Sequence, residues 1–382
     1  MSERARSTER AGSGQGLVGP DSSGRIALWD NARFLAVTLV VMGHAIQRLT
    51  AESDNALTLY LVIYAFHMPA FAIISGYFSK SVPPTKRSML RLFTELIVPY
   101  LIMEAAWSLV KFMIDGTTSF DPTTPSWTLW FLLSLAIFRL VLPYLALLRW
   151  PLTISVVVSI GVGYLNGVDS TFSLARTLGI LPFFVLGWKL STTDVAGWWL
   201  SSRRAVWWIR AAAVGVFVTL AGLIWSTTPI WRDMDLHHWL FYDDSYSRLG
   251  ADTLLAGGMR ILLIALAVVL SASFLALVPR HATVITPLGR ATMYVYLLHS
   301  FLLYPLRESG LLGGAHSSAT WLALMMIAAV AISLVLASDP VRRLFRPIIQ
   351  PNPRWLFASD AIEDDPSLPR VSSRVDLVHR DS

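Results

Sequence analysis

Apolar positions in this chain do not alternate with polar ones. They gather in unbroken runs of about 17–23 residues, divided by short polar loops. Runs of that length can cross the hydrocarbon core of a bilayer as helices. They lack the period of two that a membrane β-barrel requires, and lipid admits no other spanning structure. The pattern predicts an all-α integral membrane protein, a bundle of about ten transmembrane helices. Their expected limits are 31–49, 57–78, 90–114, 128–148, 150–166, 172–190, 205–226, 259–278, 284–306 and 319–338. The fifth and sixth are short and divided only by the turn signal Asn166-Gly167-Val168-Asp169. Residues 1–25, rich in Gly, Ser and Arg, read as a disordered cytoplasmic tail. A membrane domain over 26–340 follows, and 341–382 reads as a cytoplasmic tail, basic and then disordered. The first apolar run begins late and lacks a small-residue cleavage pattern, so it is not read as a signal peptide.

Composition agrees: 54% of the 382 residues are hydrophobic and 15% charged, where a soluble domain carries about a quarter charged. The net charge of +6 does not indicate a nucleic-acid partner, because the basic residues fall in alternate loops. One set holds the N-terminal arginines, Lys80, Lys86, Arg87, Arg91, Arg149, Lys189, Arg203, Arg204, Arg280, Arg342, Arg343 and Arg346. The opposite loops are neutral or acidic: Glu52 and Asp54, Asp115 to Asp121, Asp169, and the long 227–258 segment. The positive-inside rule then puts both termini in the cytoplasm, with the protein a multi-pass component of a plasma membrane, read as bacterial. There is no cysteine, which excludes disulfides, thiolate catalysis and cysteine-bound metal.

Polar residues inside spans are costly and by default functional. The first span carries Asp30, Arg33 and His44. Arg33 and His44 are eleven positions apart, about three turns, so both point to one face, ~16 Å apart along the axis. Val37, Val40 and Val41 lie on that face between them. Arg33 paired with Asp30 near the surface has an ordinary structural explanation; His44, deeper in the run, does not. A neutral histidine is what a general base needs.

The second span holds His67 before Pro69, whose missing N–H frees a carbonyl, and then Ser75-Gly76, a pattern also used for close helix packing. The third has Arg91, Glu95, Pro99, Tyr100 and Glu104. Arg91 and Glu95 are spaced for an ion pair, while Glu104 has no evident partner. Trp127 and Trp130 open the fourth, where tryptophans commonly anchor the interface. The ninth carries Gly289-Arg290 and His299. Three intramembrane histidines, and Asp233, Asp235, His237 and His238 in the long loop, invite a metal reading. No carboxylate-supported ligand spacing accompanies them, so no metal is assigned. Gly-rich phosphate loops, the Gly-x-Ser-x-Gly elbow and zinc-protease signatures are absent.

Five segments together carry a resemblance. They are Asp30 and Arg33 with His44; Phe66-His67-Met68-Pro69 through Ser75-Gly76-Tyr77-Phe78; Arg91 through Pro99-Tyr100; Trp127-x-Leu-Trp130-Phe131-Leu132; and Gly289-Arg290 through Tyr296-Leu-Leu-His299. In that order and over about 30–340, the chain resembles the membrane acyltransferase-3 family, in the branch similar to fucose 4-O-acetylases. The resemblance implies ten spans, a cytoplasmic acyl-coenzyme A donor (acetyl-CoA above all) and O-acylation of a glycan or other extracytoplasmic or lipid-linked hydroxyl. It carries catalytic roles to Arg33 and His44, with Asp30 beside them. Any esterase-like partner would be a separate chain.

The residues accept these roles. Arg33, with Lys80, Lys86, Arg87 and Arg91, suits the phosphates or amides of coenzyme A. His44 suits the acceptor hydroxyl, as base or as transient acyl carrier. His67, Ser75, Trp130 and His299 are expected to wall the pocket or orient His44. Two rivals are a glycan or lipid transporter or flippase, whose usual internal repeats are not visible, and a receptor-like relative without activity. The 227–258 loop is expected to set acceptor specificity.

Overall fold

The computed structural model describes residues 26–116, 120–193, 206–251, 253–309, 318–352 and 357. The expected tail at 1–25, most of the one beyond 350, and Arg203, Arg204 and Asp252 lie outside the described residues. Every described element is helical. The helices are α1 Ala27–Ile46, α2 Asp54–Tyr64, α3 His67–Tyr77, α4 Lys86–Leu92, α5 Val98–Asp115, α6 Trp130–Leu145, α7 Pro151–Val162, α8 Leu174–Ser191, α9 Val206–Ser226, α10 Thr228–Asp233, α11 Leu254–Leu277, α12 Thr292–Glu308, α13 Ala319–Leu336 and α14 Asp339–Ile349.

A helix stands at each of the ten expected positions. Among the described residues, seven helical runs are long and apolar enough to cross a membrane: 27–51, 54–77, 86–114, 171–191, 206–226, 254–277 and 319–336. α6, α7 and α12 are shorter, at 16, 12 and 17 residues. Large apolar side chains cover the outside as well as the core: Leu254, Leu255 and Trp208 are each more than 80% exposed. That surface would be a liability in water and is what lipid requires.

The long runs are interrupted where proline removes a donor. The second expected span is two helices, because Pro69 has no N–H for the Ala65 carbonyl and Phe66 leaves helical geometry (φ −144°, ψ −18°). His67 therefore stands at the first position of α3, at a break inside the bundle. Ahead of Pro99 the third run widens into a π-type turn at Phe93–Ile97. The ninth run opens as a tight 3₁₀ segment, Thr286–Ala291, before α12. The basic residues after 340 continue as the helix α14, whose Ile349 is buried.

α1 runs through the interior, packed by α2, α3, α12, α13 and the 286–291 segment. Its start is fixed by Asn31, which is fully buried. The Asn31 amide nitrogen donates to the carbonyls of Pro279 (2.9 Å) and His281 (3.0 Å), and its oxygen accepts from Thr283 (3.1 Å) and Thr286 (2.7 Å). All four of its bonding positions are used. Elsewhere, α3 and α8 touch backbone to backbone. A Cβ at Gly76 would overlap the Phe184 carbonyl, and one at Gly187 would overlap the Ile73 carbonyl. Gly76 therefore serves close packing, while its neighbour Ser75 turns to a cavity.

Candidate active site

Two cavities lie next to each other inside the bundle. The larger, about 490 Å³, is lined by Arg33, Lys80, Arg91 and Arg139 with a single carboxylate, Glu95, and by an apolar interior that includes Phe71, Phe131 and Leu135. Arg33 is held from two sides. Its guanidinium donates to Asp30 (3.4 Å) and lies 4.1 Å above the Phe78 ring, which itself packs on Trp29. Glu95 pairs with Arg139 on α6 (3.3 Å). A basic rim over an apolar throat matches a polyanion carrying a slender arm.

The smaller cavity, about 160 Å³, is lined by His44, Gln47, His67, Thr128, Trp130 and Arg176 among others, with Tyr60 and Tyr64 from α2. Leu240, Phe241 and Tyr242 of the long 227–258 loop close part of its wall. Arg176 makes a short ion pair with Asp243 of that loop and lies 5.2 Å above the Trp130 ring, so loop and wall are tied together. Arg260 reinforces the loop from behind. It is 1% exposed and sits 4.5 Å over the Tyr242 ring and 5.5 Å over Tyr246.

Val40, Met68 and Tyr296 line both cavities. Val40 faces this junction, while Val37 and Val41 are fully buried in the core. The shared face of α1 thus borders both cavities at one valine and is packing at two.

Hydrogen bonds fix which nitrogen of His44 is available. His299 Nδ1 lies 3.0 Å from the Val295 carbonyl, an obligate acceptor, so that nitrogen carries the proton. In the neutral ring His299 Nε2 is then an acceptor, and His44 Nδ1, 3.0 Å away, donates to it. His44 Nε2 is left with its lone pair. The two rings stack nearly parallel, 10° apart, and Trp127 lies 5.1 Å from His44 on a backbone with φ +36°. His67 Nδ1 is likewise spent on the Ile63 carbonyl (2.9 Å).

The residues singled out from sequence divide between the two cavities. Arg33, Arg91 and Ser75 line the large one. His44, His67 and Trp130 line the small one. His299 lies behind His44, fully buried, and Asp30 acts through Arg33. Lys86 and Arg87 are exposed on α4, outside the cavity lining. Glu104 finds its partner in the backbone N–H of Ser126, and Ser126 Oγ accepts from Lys111 (3.1 Å). Among the described residues no group of three or more histidine, aspartate or glutamate side chains is placed to hold a metal. His237 and His238 approach Asp235 and Asp244, each at 3.8 Å. Sequence reading missed Arg139, Arg176, Gln47 and Thr128. Arg139 and Arg176 were detectable, each being a charge inside an expected span. The others needed the fold.

A polar site buried in an apolar bundle, with a basic entrance and a histidine aimed at the far chamber, is the arrangement of a membrane group-transfer enzyme. Residues 26–338 match the family described as "Acyltransferase domain", and the chain belongs to this membrane acyltransferase-3 family. It is similar to the nodulation protein NolL of Mesorhizobium japonicum, 24% identical over 355 residues that cover 86% of this chain and 91% of that protein. No solved structure matches the chain.

Proposed function

We propose that this acyltransferase moves a short acyl group, acetyl in the first instance, from cytoplasmic acyl-CoA to a hydroxyl of a glycan or lipid-linked acceptor presented on the outer side. In this reading ten helices cross a bacterial plasma membrane with both termini in the cytoplasm, so that the Arg33 cavity opens inward. The observation that carries it is the adjacency of a basic cavity and one holding His44, which share Val40, Met68 and Tyr296 in their linings.

The donor set fits. Arg33, Lys80, Arg91 and Arg139 offer several cations to the phosphates, and the apolar throat accepts the pantetheine arm. Bound acyl-CoA supplies an activated thioester carbonyl. His44 Nε2 takes the proton from the acceptor hydroxyl as its oxygen attacks that carbonyl. It then returns the proton to the departing sulfur, so the products are an ester and the free thiol. His299 holds the other His44 nitrogen as donor, which keeps the basic lone pair toward the acceptor. The cavities position two substrates that could not otherwise meet across a membrane.

Purified protein supplied with radiolabelled acetyl-CoA should release thiol and label only when a hydroxyl acceptor is present. His44→Ala should abolish this while the variant still folds and binds donor. Near-normal turnover by that variant would reject the assignment. Movement of acceptor across liposomes without thioester cleavage would favour a transporter instead.

A further inference from the structure

Trp127 lines the small cavity beside His44, yet its backbone is left-handed (φ +36°), a region costly for a bulky side chain. Glycine would adopt that conformation without strain, so what the strain secures is the position of the indole. Both neighbours of Trp127 are pinned. The Ser126 N–H donates to the carboxyl group of Glu104 on α5, and Ser126 Oγ accepts from Lys111 of the same helix (3.1 Å). On the other side, the Thr128 carbonyl accepts from the Tyr296 hydroxyl of α12. Glu104, Trp107 and Lys111 follow a spacing of three and four, so one face of α5 grips the whole turn. Trp107 meets the Trp127 ring edge-on at 5.9 Å, and the Arg307 guanidinium lies 5.3 Å over it. The indole held in this way is 5.1 Å from the His44 ring and tilted 33° to it.

Glu104 is 2% exposed and lines neither cavity, so it touches no substrate. A buried carboxyl group within a span is costly, and here its bond goes to the backbone beside a strained residue. We propose that Glu104 is a positioning residue for acyl transfer. Through the Ser126 N–H it holds Trp127 in the left-handed conformation, and the indole holds the His44 ring at the angle from which Nε2 meets the acceptor hydroxyl. Without that bond Trp127 relaxes to an ordinary φ and its ring leaves His44, while the basic residues of the donor cavity stay in place. The consequence for rate rests on the acyl-transfer reading above. The consequence for the surroundings of His44 does not.

An indole this close shifts the imidazole resonances through its ring current, so NMR of the purified full-length protein with isotope-labelled histidine reads the contact. His44→Ala assigns the signal, and Trp127→Leu gives its position without the ring. Glu104→Ala should move the His44 signal toward that position. It should also lower kcat for thiol release from acetyl-CoA by about tenfold or more, with glycerol as the hydroxyl probe and the KM for acetyl-CoA unchanged. Glu104→Gln, which keeps an acceptor oxygen for the Ser126 N–H, should return both readings toward wild type. An unmoved His44 signal in folded Glu104→Ala, or one still displaced in Glu104→Gln, would overturn the proposal. So would an unchanged kcat beside a displaced signal. Should Glu104→Ala fail to fold, adding Trp127→Gly should restore folding, because glycine needs no support at positive φ; failure of that rescue would also overturn it. Absence of thiol release by wild type would count against acyl transfer alone, and the His44 signal would still decide whether Glu104 positions Trp127.

Discussion

His44 Nδ1 and His299 Nε2 stand 3.0 Å apart, and the carbonyl of Val295 holds the far side of His299. This chain of donors sets the tautomer of His44 from a residue that does not line the cavity. Its role parallels the third member of a hydrolytic triad, which orients the base without itself reacting. His299→Ala should therefore lower kcat by about 10²-fold while the affinity for acetyl-CoA is unchanged. Adding His299→Ala to His44→Ala should cost almost nothing more, because the two act as one unit. A steady-state thiol-release assay on the four proteins reads this directly. Wild-type kcat in His299→Ala would reduce His299 to a packing residue.

The ten helical segments, and Arg33 and His44 themselves, were legible because lipid imposes length and hydropathy on a span and makes its exceptions conspicuous. The helix break before His67 was visible only as a proline whose missing donor frees a carbonyl. Partnerships were not legible. Glu95 meets Arg139, which is 44 positions away, and Asn31 meets carbonyls beyond position 278. No local periodicity encodes such contacts.

The division of basic residues between the cavity wall and α4 gives an ordered series for donor binding. Arg33→Ala should weaken acetyl-CoA binding by about tenfold, a typical loss for a charge-assisted contact. Arg33→Lys should recover part of it, since the charge remains but the planar stack on Phe78 is lost. Lys80→Ala and Arg139→Ala should follow, and Lys86→Ala and Arg87→Ala should do little because both lie outside the cavity lining. Titration of fluorescent coenzyme A checks the order. A dominant effect of Lys86 or Arg87 would move the donor site onto α4.

Gly76 and Gly187 should be intolerant for a reason unrelated to chemistry. A methyl group at either would overlap a backbone carbonyl of the facing helix, and backbone cannot swing aside as a side chain can. Gly76→Ala and Gly187→Ala should each destabilise the protein by roughly 1–3 kcal/mol. Gly161→Ala and Gly215→Ala, where an added Cβ meets nothing within 4 Å, should not. Thermal unfolding in detergent compares the four. Equal midpoints would show that α3 and α8 can separate freely.

Glu308 ties the far ends of the helices that carry the two histidines. It bonds Arg307 (2.8 Å), and Arg48 just beyond α1 (3.3 Å). The hydrogen bond from Arg307 above all holds its carboxyl below the usual carboxylate range. A lowered folded-state value means that the stabilisation is complete above the unfolded pKa and is lost as pH falls through the folded one. The effect is small, below about 1 kcal/mol, because the groups are partly exposed. Glu308→Gln should thus unfold slightly earlier than wild type near about pH 6, and the gap should close below about pH 4. A gap that widened on acidification would contradict the ion-pair assignment.

The sharpest test of the architecture lies at the junction. Val40 is 2% exposed and borders both cavities, so an added ring there must project where the proposed transfer path would cross between them. Val40→Phe should block acyl transfer almost completely while acetyl-CoA still binds at Arg33 and acceptor still binds beside His44. Val41→Phe should instead damage folding, because that side chain is fully buried in the core. Val40→Ala, which widens the junction, should keep transfer and relax the limit on acyl length. Propionyl- and butyryl-CoA would measure this, with the ratio of their rates to the acetyl rate rising above wild type. If Val40→Phe binds both substrates and still transfers at the normal rate, the acyl group reaches His44 by another route. The shared face of α1 would then be packing along its whole length.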